Sequence, residues 1–230
     1  MRLHSRSRFA VGIAAMVVLL GATGPASCTP APRFASSIAM VSRERLGLSW
    51  RPGCPVAVTD LRLVSVSFVG FDGASHRGEL IVHRTIATRT VAAFRSLYAQ
   101  RFPINRMETA EKFLGPDDFG PDGSFVEHLD RPDTIDDTAA FMCRPTTGGG
   151  PWSAHAYGLA VDVNPLENPY HSGSTIVPVN GAPNLARRPA TKGLVVSGSR
   201  VVRAFAANGL SWGGYWHSLK DYMHFTATGK

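Results

Sequence analysis

From residue 56 onward the chain alternates between two periods. Residues 56–71, VAVTDLRLVSVSFVGF, alternate apolar and polar positions, the pattern of a strand with one face on a core. FDGASHRG at 71–78 supplies a glycine-containing turn and ELIVH at 79–83 a second strand, so a β-hairpin is predicted. In RTIATRTVAAFRSLYAQR, residues Ile86, Thr90, Ala93, Phe94, Leu97 and Tyr98 recur three and four apart, which predicts an amphipathic helix. FPINRM (102–107) reads as a short strand, the Asp-, Gly- and Pro-rich stretch 115–137 as a loop or lid, and TAAFMCR (138–144) as another strand. TTGGG is a connector into SAHAYGLAVDVN (153–164), whose second half alternates like a strand. The Pro- and Gly-laden stretch 164–193 is expected to lack regular structure. SRVVRAFAANG predicts a second helix capped by Ser199 and stopped by Gly209, and LSWGGYW and DYMHFT predict a turn and a terminal strand. Helices and strands mix without βαβ alternation, so the expected class is α+β: a small antiparallel sheet with flanking helices.

Composition narrows the picture. The 230 residues are 44% apolar and 18% charged, as expected of a folded globular chain. The N-terminus carries Arg2, Arg6 and Arg8, then an apolar run from Phe9 to about Leu20, then small residues. That order predicts an export signal over 1–27, too short in its apolar run for a spanning helix. A flexible tether is expected over 28–52 and one domain over 53–230. PASC resembles a bacterial lipobox ending at Cys28, but Pro25 stands where an aliphatic residue is usual, so acylation at Cys28 stays open and would be the only route to a membrane. Of the three cysteines, Cys54 and Cys143 remain to pair in an oxidising compartment, the alternative being two buried free thiols. Losing the leader's three arginines lowers the formal charge from +7 to +4. That balance suits an anionic wall surface and offers no dense basic stripe for nucleic acid.

The chemistry lies in SAHAYGLAVDVN. Leu159, Val161 and Val163 share one face of the strand and Asp162 lies on the other. A carboxylate in such an apolar segment needs a cationic partner. His155 has the wrong parity to meet it in a straight strand, but a turn through AYG, which Gly158 permits, brings the imidazole round. An ion held by both would take His224 of DYMHF as a third ligand, and two imidazoles with one carboxylate leave a fourth position for water, the donor set of catalytic zinc. Asp221 is the candidate proton acceptor, provided the chain bends at 221–223. Each of these residues alone has an ordinary structural reading.

The flanking residues decide between those readings. Ser153, His155, Gly158, Ala160 and Asp162, followed by SWGGYW and DYMHF, resemble the S-x-H-x-x-G-x-A-x-D and [DE]-x-x-H motifs of the zinc D-alanyl-D-alanine carboxypeptidase family, which takes in VanY-type carboxypeptidases and endolysin-type L-alanyl-D-glutamate endopeptidases. The resemblance implies zinc ligands His155, Asp162 and His224, a general base at Asp221, and a Hedgehog/D,D-peptidase-like fold. Asp at the base position leans toward the endolysin-type branch. Arg144 is a candidate for the oxyanion, with a structural salt bridge as its alternative. Ser153, Trp212, Tyr215 and Trp216 are candidates for substrate contact, each with a turn or core role as alternative. The remaining histidines and Asp117, Asp118, Asp136 and Asp137 show no ligand spacing, and no second metal is expected. The expected protein is an exported monomeric zinc peptidase acting on peptidoglycan stem peptides, outside the cell or at the outer face of the membrane. The rival is a non-catalytic wall-binding domain stabilised by zinc.

Overall fold

The computed structural model describes residues 33–120, 126 and 136–229. The export signal, Cys28 and most of the expected lid lie outside the described residues. The elements in chain order begin with β1 (Ser36–Met40), α1 (Arg43–Leu46), β2 (Leu61–Gly70), β3 (Ser75–His83), α2 (Ala87–Ala99) and β4 (Pro103–Ile104). They continue with β5 (Ala160–Asp162), β6 (Tyr170–Ser172), β7 (Thr175–Val177), α3 (Arg200–Ala206), β8 (Ser211–Trp212), β9 (Lys220–Asp221) and β10 (His224–Thr226), with 3-10 turns between. The class is α+β with small antiparallel sheets and a few helices, as the patterning predicts. No described helix is long and apolar enough to cross a membrane.

The hairpin obeys strict two-residue alternation. Val64, Val66 and Phe68 of β2 and Leu80 and Val82 of β3 point to one face, where they meet Phe94 and Leu97 of α2 and Val202 and Phe205 of α3. Leu61, Leu63 and Ile81 point to the other, against Val41, Leu46, Phe141 and Cys143. Both faces are therefore covered over half the hairpin. In α2 the predicted stripe is buried, and Thr90, unusual inside an apolar face, satisfies its hydroxyl on the Ile86 carbonyl at 2.9 Å. The α3 helix begins where Ser199 accepts from Val202 N and is followed by Gly209 at φ +67°. Phe205 of α3 stacks on Phe225 of β10, with centroids 3.9 Å apart, and this ties the helix layer to the strand that carries His224.

The hairpin sheet and the sheet of the C-terminal strands are separate, with isolated bridges between them. β1 pairs antiparallel with β2, and β2 with β3. Glu79 N donates to Met107 O at 3.2 Å, Arg106 bridges to Asp137, and Ala139 bridges to Asp162. β5 pairs with β10, and β10 with β8. A separate sheet joins β7, β6 and β9.

Three expectations are corrected. Residues 36–40 are a strand rather than tether, because they can pair along β2 from Arg62 to Val66. Residues 138–144 form no strand: Phe141 donates to Ile81, Met142 to His155 and Cys143 to Ser49, so successive residues turn to different partners and no ladder develops. The stretch 164–193 carries β6, β7 and a 3-10 helix at Val179–Ala186, since Gly173 at φ +57° closes a short hairpin between the proline-rich segments. The Cys54–Cys143 disulfide is formed and spans 89 positions.

Candidate metal centre

The predicted turn through AYG, residues 156–158, is present and begins earlier, at Ser153. Residues Ala154–Tyr157 form a 3-10 turn, Ser153 Oγ accepts from His155 N at 3.3 Å, and Gly158 ends the turn at φ +67°. Ser153 is buried in this cap. It sets the histidine's position rather than lining a cleft. The turn reverses the parity of His155, so its ring reaches the face of β5 that carries Asp162. Across the ladder, His224 stands directly opposite Asp162 in the β5–β10 register. The bend expected at 221–223 falls at residues 222 and 223, between β9 and β10. It brings Asp221 Oδ2 to 3.9 Å from His224 Nδ1.

The three side chains converge. His155 Nε2 lies 3.1 Å from His224 Nδ1 and 3.1 Å from Asp162 Oδ2, and His224 Nδ1 lies 3.1 Å from Asp162 Oδ1. His155 Nδ1 donates to the Ala140 carbonyl at 2.5 Å, which leaves Nε2 as a lone pair facing a carboxylate oxygen. Two acceptors at that distance need a cation between them. A proton answers one contact. A tetrahedral ion with bonds of 2.0–2.1 Å, whose ligand atoms are about 3.3 Å apart, answers all three. The donor set of two imidazoles and one carboxylate fits zinc, and these residues form a potential metal group in which the ligand atoms lie within 4.8 Å of one another.

The electrostatics agree with that fit. Burial alone would raise Asp162, but with no ion between the side chains the positive charge and hydrogen bonds that protonated His155 and His224 would supply outweigh it and hold the carboxyl below its usual range. Burial lowers His224 against the opposing pull of Asp162. Asp221 is pushed well above the carboxylate range, first by burial and then by the Asp162 charge, while the Arg144 guanidinium draws it back. Its Oδ1 is buried without a hydrogen-bond partner. A carboxyl so placed is suited to hold and release a proton at this spot. The charge of Arg144 acts on both Asp221 and His224, so Arg144 stands within the field of the site.

The aromatic candidates divide. Trp216 is half-buried, with its ring 5.3 Å from that of His224, and Tyr215 is 51% exposed. Trp212 is a correction: its ring is core and its indole N–H donates to Tyr222 O at 2.8 Å, because β8 places it between β10 and the helix layer. Two supports escape the sequence reading. The Ala140 carbonyl has no side-chain signal at all. Asn164, at φ +45°, accepts from Asn105 N and donates to the Pro103 and Gly193 carbonyls, so it locks the exit of β5; its only signal was a polar residue ending an apolar run.

No curated protein and no solved structure matches the chain. Residues 146–227, the segment that carries His155, Asp162, Asp221 and His224, match the family model described as D-alanyl-D-alanine carboxypeptidase.

Proposed function

We propose that this protein is an exported, monomeric zinc peptidase that hydrolyses peptide bonds in the stem peptides of bacterial peptidoglycan, either as a D,D-carboxypeptidase or as an L-alanyl-D-glutamate endopeptidase. The observation that carries the reading is the triangle of His155, Asp162 and His224 with Asp221 beside it. A structural zinc site has no use for a fourth, proton-holding carboxylate. Export is supported by the leader pattern and by a disulfide of the kind that persists in oxidising compartments.

Zinc held by the two imidazoles and Asp162 would polarise the scissile carbonyl and make water acidic enough to lose a proton near neutrality. Asp221 takes that proton and returns it to the leaving amine. Arg144 supplies positive charge toward the oxygen that becomes anionic as the carbonyl is attacked. His155 is kept in one tautomer and one orientation by Ala140 O, while Trp216 packs beside His224 and limits its movement.

The test is metal content together with digestion of defined muropeptides, with fragments identified by mass. Zinc near one equivalent with release of terminal D-alanine, or with cleavage between L-alanine and D-glutamate, supports the reading and selects the bond. Tight binding to wall material with zinc present and no cleavage overturns it in favour of a wall-binding domain.

A further inference from the structure

A cavity of about 570 Å³ opens over the end of the β2–β3 hairpin and the segment 105–108. Its lining charges are unevenly matched. Each of three acids there lies against a basic side chain: Asp72 against the His76 imidazole at 3.0 Å, Glu79 against Arg45 at 2.8 Å, and Glu108 against Lys112 at 3.2 Å. Two guanidinium groups are left over. Arg77 donates to the neutral Ser65 hydroxyl at 2.8 Å. Arg106 lies over the Phe113 ring, with its Nε and Nη2 free of any hydrogen-bond partner and its nearest carboxylate oxygen, Asp137 Oδ1, 3.6 Å from Nε. Burial pushes Asp137 up to about 7, against the lowering effects of the Glu108 amide and Arg106, so near neutrality it balances Arg106 only in part. Neither guanidinium therefore has a carboxylate oxygen within hydrogen-bond distance among the described residues.

Strand parity relates this cavity to the metal centre. Met107 belongs to the core, so Arg106 points to the opposite side. Val161 and Val163 are core as well, so Asp162 also points away from it. The Arg106–Asp137 and Ala139–Asp162 bridges carry the same face across from one residue to the other. Two strand spacings and a two-residue offset along the chain separate them, roughly 12 Å, and an extended peptide covers that distance in about three to four residues.

We propose that this cavity is a carboxylate-binding subsite, in which Arg106 and Arg77 hold an acidic group of the peptide about three to four residues from the bond that is cut. The proposal rests on the peptidase reading and deepens it. Selectivity for acidic stem peptides then comes from the hairpin rather than from the metal centre.

The experiment uses the zinc-loaded full chain and two probes: L-Ala-γ-D-Glu-L-Lys-D-Ala-D-Ala and its analogue with the D-glutamate α-carboxylate amidated. For the wild type, amidation raises KM for release of the terminal D-alanine about tenfold with kcat held, the loss expected for a contact between charged groups, whereas cleavage between L-alanine and D-glutamate, which sets that carboxylate beside the cut bond, overturns the subsite. Arg106→Gln or Arg77→Gln raises KM for the acidic peptide by a similar factor, and adds no more than about twofold for the amidated one. Equal KM for both peptides in the wild type, or equal losses on both in the variants, overturns the subsite. Should neither peptide be cleaved, the peptidase reading is what has failed, and titration of both peptides into the zinc-loaded Asp221→Asn chain still decides: about tenfold weaker binding of the amidated peptide upholds the subsite, and equal binding overturns it. Preferred binding of poly(glycerol phosphate) over both peptides would also overturn it, by assigning the cavity to an anionic polymer.

Discussion

Replacing Gly158 by alanine tests whether the short turn before β5 positions the metal centre. At φ +67° any residue with a Cβ is strained, at a cost of about 1–2 kcal/mol. The added carbon would also stand 2.7 Å from His83 N and 3.0 Å from Leu61 Cδ2, and His83 N is the atom that donates to Gly158 O at 2.7 Å. The backbone at the end of β3 cannot yield as a side-chain tip can, so the hydrogen bond breaks and the turn retreats. Overpacking of this kind costs about 1–3 kcal/mol more. The sum, roughly 3 kcal/mol, lowers the thermal midpoint by about 6–12 °C in a domain of this size. The turn carries His155, so zinc affinity falls as well, by about tenfold or more. Gly148→Ala is the control, since its φ of +82° is equally unfavourable but nothing lies within 4 Å of the added carbon. It should cost about 1 kcal/mol and leave zinc affinity unchanged. Scanning calorimetry and competition with a zinc chelator measure both quantities. Equal midpoints and equal zinc affinities for the two variants would refute the claim that contact with β3 positions the ligand.

Other substitutions probe the remaining chemistry. His155→Ala and His224→Ala should lose zinc and turnover together, whereas Asp221→Asn should retain zinc and lose about 10²–10⁴ in kcat, as measured by metal analysis and muropeptide hydrolysis; an active Asp221→Asn chain removes the proton-transfer role. Removing both Cys54 and Cys143 opens a loop of 89 positions and should cost about 4–5 kcal/mol in the chain-entropy model, read by denaturant unfolding. Glu167 is raised to about 8, first by burial and then by its contact with Asp136. Its folded form binds the proton more tightly than the unfolded form, so its contribution to stability is full below about 4.5 and is lost as pH rises toward 8. Glu167→Gln should flatten that part of the stability profile, and an unchanged slope would refute the assignment.

Much of this architecture was legible where period and chemistry agreed. The alternation in 61–70 had to be a strand because Leu61, Leu63, Val64, Val66 and Phe68 serve two different apolar clusters, and the α2 stripe followed from its three-and-four spacing. The metal residues could be read because an acid between Val161 and Val163 is costly without a partner, and because Gly158 is the one position in its stretch that lets the chain turn. The parts that escaped depend on pairings between distant segments. The β1 strand exists because β2 offers a free edge, a fact invisible in SSIAM itself. The support for His155 is a main-chain carbonyl, which every residue type provides. Arg106 drew no notice because its significance lies in which acids are already matched to other cations, and that is settled only in three dimensions.

The antiparallel register that sets His224 against Asp162 has a consequence for how this chain can diverge. Since backbone pairing, not loop length, fixes those two donors, the loops among the 61 residues between them can change length, provided both strands keep their phase and Asn164, α3, β8, Trp216 and Asp221 stay in place. A slip of a single position would turn one donor toward the opposite side of the sheet and disarm the centre at once. Grafting experiments on this scaffold therefore have latitude in those loops and none in the two short strands.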